Sequence, residues 1–230
     1  MTGGGAGPRA TVVHIITLLE WGGAQENTLH TVESLDPVRF DRVLVCGRGG
    51  MLDARAAGIP SLRVAFVDDL VREVVPWRDA KAFFALRSLL REEKRKAPGI
   101  PLIVHTHSSK AGILGRAAAR AAGADLVIHS IHGFGFHEGQ PSAVRAFYVA
   151  AERLASRWTD AFVAVSEENI RTGETAGIFR RERCRLIRSG FDTGRFLRGS
   201  REAGRRILGI GEGEQVVGTV AVFKPQKAPL

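Results

Sequence analysis

Ala10–Ile16 reads ATVVHII, a continuous apolar and largely β-branched run, followed by a loop containing Gly22-Gly23 and then a helical stretch from about Ala24 to Leu35. Strand, glycine turn and helix follow one another, and working outward the same triplet recurs. Strands are predicted at Arg42–Cys46, Leu62–Phe66, Leu102–Thr106, Leu126–Ile131, Ala161–Val165 and Cys184–Ile187. Helices are predicted between them at Met51–Ala57, Trp77–Lys96, Ser109–Ala122, Ser142–Trp158 and Glu167–Ala176. Short apolar strands that do not alternate with polar residues are buried on both faces, and a helix after each one implies an α/β protein with a doubly wound parallel sheet.

The 230 residues hold one large domain of this kind and the opening of another. Hydrophobic residues make up 44% and charged residues 25%, which excludes collagen-like, disordered and disulfide-framework chains. The 27 glycines fall in short clusters, as many turns between many elements require. Residues 1–9 read as a flexible leader, 10–192 as the first domain, 193–214 as a linker with a helix at Ser200–Leu208, and 215–230 as the start of a second domain. Its strand is expected at Gln215–Val222 (QVVGTVAV), eight residues before the sequence ends.

Cys46 and Cys184 lie in apolar strand-like segments without zinc-like spacing, which suits a reducing compartment. No signal-peptide core and no 18-residue apolar run are present, so a cytoplasmic location is expected. The net charge of +9 is uneven: residues 171–206 carry 11 Lys+Arg against 4 Asp+Glu. Such a segment attracts phosphates or anionic lipid, although Arg (27) simply exceeding Lys (6) throughout is an equal explanation. With 16 aromatics and no nucleic-acid-binding motif, no nucleic acid partner is expected. Val144, Phe147, Ala151, Leu154, Ala155 and Trp158 form one apolar stripe that reads as core packing. The helix Trp77–Lys96, with Ala80, Phe83, Leu86 and Leu90 toward one side, reads as a surface helix or an interfacial one.

In a doubly wound sheet ligands sit beyond the carboxyl ends of the strands. The residues there are Gly22-Gly23, His107-Ser108-Ser109-Lys110, His132-Gly133-Phe134 and Ser166. Gly22 and Gly23 expose backbone N–H groups where a helix dipole favours an anion. Neither the dinucleotide fingerprint nor the triphosphatase loop is present, and Ser166 lacks the hydrolase elbow. His105 and His107 would share one face of a strand, but no third ligand lies nearby in sequence, so no metal is expected.

Six blocks together resemble family 4 glycosyltransferases of the GT-B fold: Glu20–Gln25 (EWGGAQ), Val104–Gly112 (VHTHSSKAG), His129–Phe134 (HSIHGF), Val165–Glu167 (VSE), Ile187–Asp192 (IRSGFD) and Val217–Lys227 (VGTVAVFKPQK). The resemblance covers about residues 11–230, and its flavour is similar to enzymes of cell-surface polysaccharide and glycolipid assembly. It implies a Rossmann-like, acceptor-binding N-terminal domain facing a nucleotide-sugar-binding C-terminal one. It further implies retention of configuration, no metal, and a UDP- or GDP-sugar donor with a glycan or lipid-linked acceptor. Gly22, Gly23 and Lys224 would approach the donor diphosphate, and His132 and Lys227 would be catalytic. Gln25, His107, Ser108, Gly133, Phe134 and Ser166 would line the acceptor and donor-sugar site.

Many relatives carry an arginine where this chain has Val222, so the second phosphate cation is missing unless Lys224 supplies it, and the acidic donor-binding motif would lie beyond Leu230. As the glycosidic bond breaks, negative charge gathers on the departing phosphate, and a preorganised cation stabilises it. Removing one such donor costs roughly 10²–10³ in rate. The 230 residues alone are expected to be inactive, possible contact is with an anionic membrane surface, and the alternative reading is a non-catalytic, truncated binding module.

Overall fold

The computed structural model describes residues 10–190 and 193–220. Residues 10–190 fall in the first of two compact units, Met1–Gly190, and the rest in the second, Phe191–Leu230. The first unit is built on seven strands: β1 (Ala10–Ile15), β2 (Phe40–Cys46), β3 (Leu62–Phe66), β4 (Leu102–His107), β5 (Leu126–Ile131), β6 (Ala161–Ala164) and β7 (Cys184–Leu186). Every pairing is parallel, in the order β3-β2-β1-β4-β5-β6-β7. The doubly wound reading therefore holds. The order reverses between β1 and β4, the place where such sheets open a crevice for ligands.

Helices α1 (Gly23–Ser34), α2 (Asp53–Ala57), α3 (Pro76–Lys96), α4 (Ser109–Ala122), α5 (Ser142–Ser156) and α6 (Glu167–Thr175) connect the strands, and a 3₁₀ turn at Arg181–Arg183 precedes β7. Alternation along the strands divides the core into two faces. Val13, Ile15, Val43, Val45 and Val104 pack with Leu86 and Leu90 of α3 and with Ala111 and Ala118 of α4. Leu44 and Cys46 face the other way, with Leu29 and Val32 of α1 and Leu52 before α2. A third cluster, around Ile131, Phe162, Ile170 and Phe179, closes the β7 end.

Arg116 of α4 reaches Glu152 of α5 at 2.6 Å inside the protein and also donates to the carbonyl of Gly112. Gly112 is required there, because a Cβ would come within 2.5 Å of the His129 ring.

Two expectations are corrected. In α5 only Ala155 of the predicted stripe is buried, while Val144, Phe147 and Leu154 are exposed, Phe147 at 58%. The buried pair Arg116–Glu152 fastens the helix by its polar side, so its apolar stripe is turned outward. In α3 the buried positions are Ala82, Leu86, Leu90 and Glu93, with Ala80 exposed.

In the second unit, α7 (Thr193–Leu197) and α8 (Arg201–Leu208) precede a segment, residues 215–220, that is not a strand. Val217 and Val220 are fully exposed there, and an extended segment without a pairing partner forms no ladder. Val222, Lys224 and Lys227 lie outside the described residues.

Candidate active site at the carboxyl ends of the strands

Parallel pairing sets His14 of β1 opposite His105 of β4. His105 and His107, two residues apart, share that face, so three imidazoles gather on the side of the sheet away from α3 and α4. Nδ1 of His14 lies 3.0 Å from Nε2 of His107, and Nδ1 of His107 lies 3.2 Å from Nε2 of His132, just after β5. His105 is hydrogen-bonded to Ser130 at 2.7 Å. Burial pushes His105 and His132 down to about 4 and holds His14 and His107 well below the ordinary histidine range. All four are neutral at neutral pH.

Donor atoms of His14, His105 and His107 lie within 4.8 Å of one another, a set of nitrogens from which a metal site could be built. His14 is the third histidine that sequence spacing did not reveal. Two of the nitrogens are already hydrogen-bonded to each other.

Beside these histidines a cleft of about 400 Å³ opens over the start of α4, lined among others by Thr17, Gln25, Ser108, Lys110, Ile113 and Phe147. Ser108 has φ 59° and ψ 160°, backbone territory that belongs to glycine and costs on the order of 1–3 kcal/mol. Its Oγ is held by Thr17 Oγ1 at 2.8 Å. Only one other described non-glycine residue, Ser61, has positive φ. Lys110 projects into the cleft but is held by Asp79 at 2.5 Å and by the carbonyl of Glu73. The walls are mainly apolar, with Ile16, Val74, Ile113, Leu114 and Phe147.

The expected residues are thus placed as follows. Gln25 and Ser108 line the cleft, and His107 binds His132. Gly22 precedes α1 with extended backbone, and a Cβ there would strike Gln25 Oε1 at 2.6 Å, whereas Gly23 faces open space. Gly133 takes φ +147°, which favours glycine, and Phe134 stacks on Phe136. Ser166 does not line the cleft: its Oγ accepts from Asn169 N and caps α6, while Asn169 donates to the carbonyl of Ile131, next to His132. Thr17, Asp79 and His14 carry no local sequence signal, since their roles depend on pairings far apart in sequence.

The model of Glycosyltransferase Family 4 matches residues 21–195, which contain α1, the histidine-bearing strands β4 and β5, and the cleft-lining start of α4. The chain belongs to glycosyltransferase family 4. It is 31% identical over 221 residues to the UDP-Gal:alpha-D-GlcNAc-diphosphoundecaprenol alpha-1,3-galactosyltransferase of Escherichia coli. That match covers 95% of this chain and 55% of the relative. It is 28% identical over 147 residues to the D-inositol 3-phosphate glycosyltransferase of Rhodococcus erythropolis, covering 61% of this chain and 33% of that one. The chain thus spans about half the length, or less, of these relatives. Among solved structures, sucrose-phosphate synthase from Thermosynechococcus elongatus shares the fold at a TM-score of 0.64 and 15% identity, over 90% of this chain and 54% of that one.

Proposed function

We propose that this chain forms the acceptor-binding part of a retaining, metal-independent glycosyltransferase. The sugar comes from a UDP- or GDP-sugar, and the acceptor is a lipid-linked glycan of surface glycan or glycolipid assembly. One observation carries the reading: a cleft at the reversal point of the sheet, walled by apolar side chains and floored by the strained Ser108 and by Gln25. The acceptor named for the Escherichia coli relative, a sugar on a diphosphate-linked polyprenol, has the matching mix of polar head and apolar tail.

The exposed apolar side of α5 adds support. Val144, Phe147 and Leu154 stand among Arg145, Arg153 and Arg157, all exposed, while the only acid of the helix, Glu152, is buried against Arg116. An apolar stripe with basic flanks suits the cytoplasmic face of an anionic membrane. The basic segment 171–206 suits it less, because Arg171, Arg181 and Arg183 are bound to Glu168, to the carbonyl of Cys184 and to the carbonyl of Ser156. No helix among the described residues is long and apolar enough to cross a membrane.

The experiment is a pair of binding measurements on the purified 230-residue chain. A short-chain polyprenyl diphosphate GlcNAc is expected to bind, UDP-galactose is not, and no transfer of sugar from either nucleotide class is expected. Turnover by this chain, or UDP-galactose binding without acceptor binding, overturns the reading.

A further inference from the structure

His14, His107 and His132 form a hydrogen-bonded chain whose direction follows from elementary bookkeeping of protons. The rings meet edge to edge: His14 and His107 are inclined by 15°, and His107 and His132 by 29°, with ring nitrogens in contact at 3.0 and 3.2 Å. A neutral imidazole has one N–H and one lone pair. His107 is engaged at both nitrogens, so it donates on one side and accepts on the other. The whole chain therefore points either inward or outward.

Nε2 of His14 decides which. It is buried and, among the described residues, has no hydrogen-bond partner. In the inward arrangement His132 donates to His107, His107 donates to His14, and the last proton falls on this nitrogen. An orphaned buried N–H is rarer and costlier than an idle lone pair. In the outward arrangement Nε2 of His14 carries only the lone pair, and every N–H of the two inner rings is used.

We infer that His14 and His107 are positioning residues that fix His132 in its Nδ1–H tautomer, so that the site presents a hydrogen-bond donor there and no basic lone pair. Nδ1–H of His14 donates to Nε2 of His107, and Nδ1–H of His107 donates to Nε2 of His132. Nδ1–H of His132 is the outer end, and no described protein group accepts from it. Its partner is an oxygen of the ligand, either a sugar hydroxyl or a phosphate oxygen. A general-base role for His132 is incompatible with this arrangement, since its one lone pair is turned inward toward His107. The ligand half of this inference rests on the transferase reading, but the tautomer does not.

The test is a long-range ¹H–¹⁵N correlation spectrum of the chain labelled at its histidine rings, recorded without ligand near pH 7.5. His14, His107 and His132 are expected to show the Nδ1–H pattern, opposite to the Nε2–H form that free histidine side chains prefer in water, with exposed His137 as the internal reference. An Nε2–H pattern at His107 or His132 overturns the inference. In His14→Asp, whose carboxylate only accepts and stands where the imidazole Nδ1 was, His107 donates inward and His132 is expected to move to Nε2–H; a folded variant that keeps pure Nδ1–H overturns the positioning role. The wild-type spectrum decides the tautomer even where that variant does not fold. Because no substrate is present, failure of the transferase reading leaves the spectrum unchanged. Adding inorganic phosphate and, separately, free GlcNAc then distinguishes the two oxygen sources: the resonance of the His132 proton shifts with the one it binds, and a shift with neither overturns the assignment of a ligand partner.

Discussion

Arg116 and Glu152 meet at 2.6 Å between α4 and α5 with side-chain exposures of 0% and 3%. The guanidinium also donates to the Gly112 carbonyl and touches Thr159 Oγ1 at 3.5 Å. Removing one member strands the other charge in the interior. Arg116→Met is expected to destabilise the domain by about 3–5 kcal/mol, and the double variant Arg116→Met/Glu152→Leu to recover most of that loss. Urea denaturation of the single and double variants measures both, and an equal loss in the two contradicts the account.

Stability is expected to fall on the acid side of neutrality. His14, His105, His107, His129 and His132 are all held below the ordinary histidine value, with burial the main cause. An unfolded imidazole titrates near 6.5, so between that value and about 4 the unfolded chain binds more protons than the folded one. The contribution is complete above pH 6.5 and is lost as the pH falls, by up to about 1.4 kcal/mol per pH unit for each histidine. Thermal melts from pH 7.5 to 4.5 read the slope, and a flat profile contradicts it.

Gly112→Ala inverts the usual rule for helices. Alanine normally stabilises a helix interior relative to glycine, by roughly 0.5–1 kcal/mol. Here the new Cβ would lie 2.5 Å from Cε1 of His129, whose ring is tied to Thr106 Oγ1 at 2.9 Å. A loss of about 1–3 kcal/mol is expected in chemical denaturation.

Vesicle co-sedimentation addresses α5. Replacing Val144 and Phe147 together by Glu is expected to weaken binding to anionic vesicles roughly tenfold or more, without changing the far-UV circular dichroism. Binding of the parent chain is expected to weaken with added salt, because Arg145, Arg153 and Arg157 contribute through screened charge.

Much of this architecture is legible in the sequence, because strands buried on both faces announce themselves as unbroken apolar runs. Ala10–Ile16 and Leu102–Thr106 differ from the structural strands β1 and β4 by one residue at one end. The histidine chain was half legible. The spacing of His105 and His107 gives a shared face, but His14 joins them only through the β1–β4 register, across ninety residues of sequence. The outward face of α5 is hidden from the sequence for a related reason. A stripe at helical spacing reveals an apolar face but says nothing of what covers it, and the buried Glu152 that turns the helix looks like any surface acid. Likewise Gln215–Val222 has the composition of a strand, yet a strand is a property of a pair, and its described residues 215–220 have no partner strand.

The two cysteines provide a pair of internal clocks. Cys46 ends β2, which is paired on both sides, while Cys184 begins the three-residue edge strand β7. Both are free and buried, and burial pushes their thiols up to about 12 and about 11. At neutral pH almost no thiolate exists in the closed protein, so a thiol-specific reagent reacts only during openings. Cys184 then times fraying of the β7 margin and Cys46 times opening near the opposite, β3 margin, and the ratio of their labelling rates reports on which side of the histidine-bearing strands β1 and β4 the sheet opens more readily.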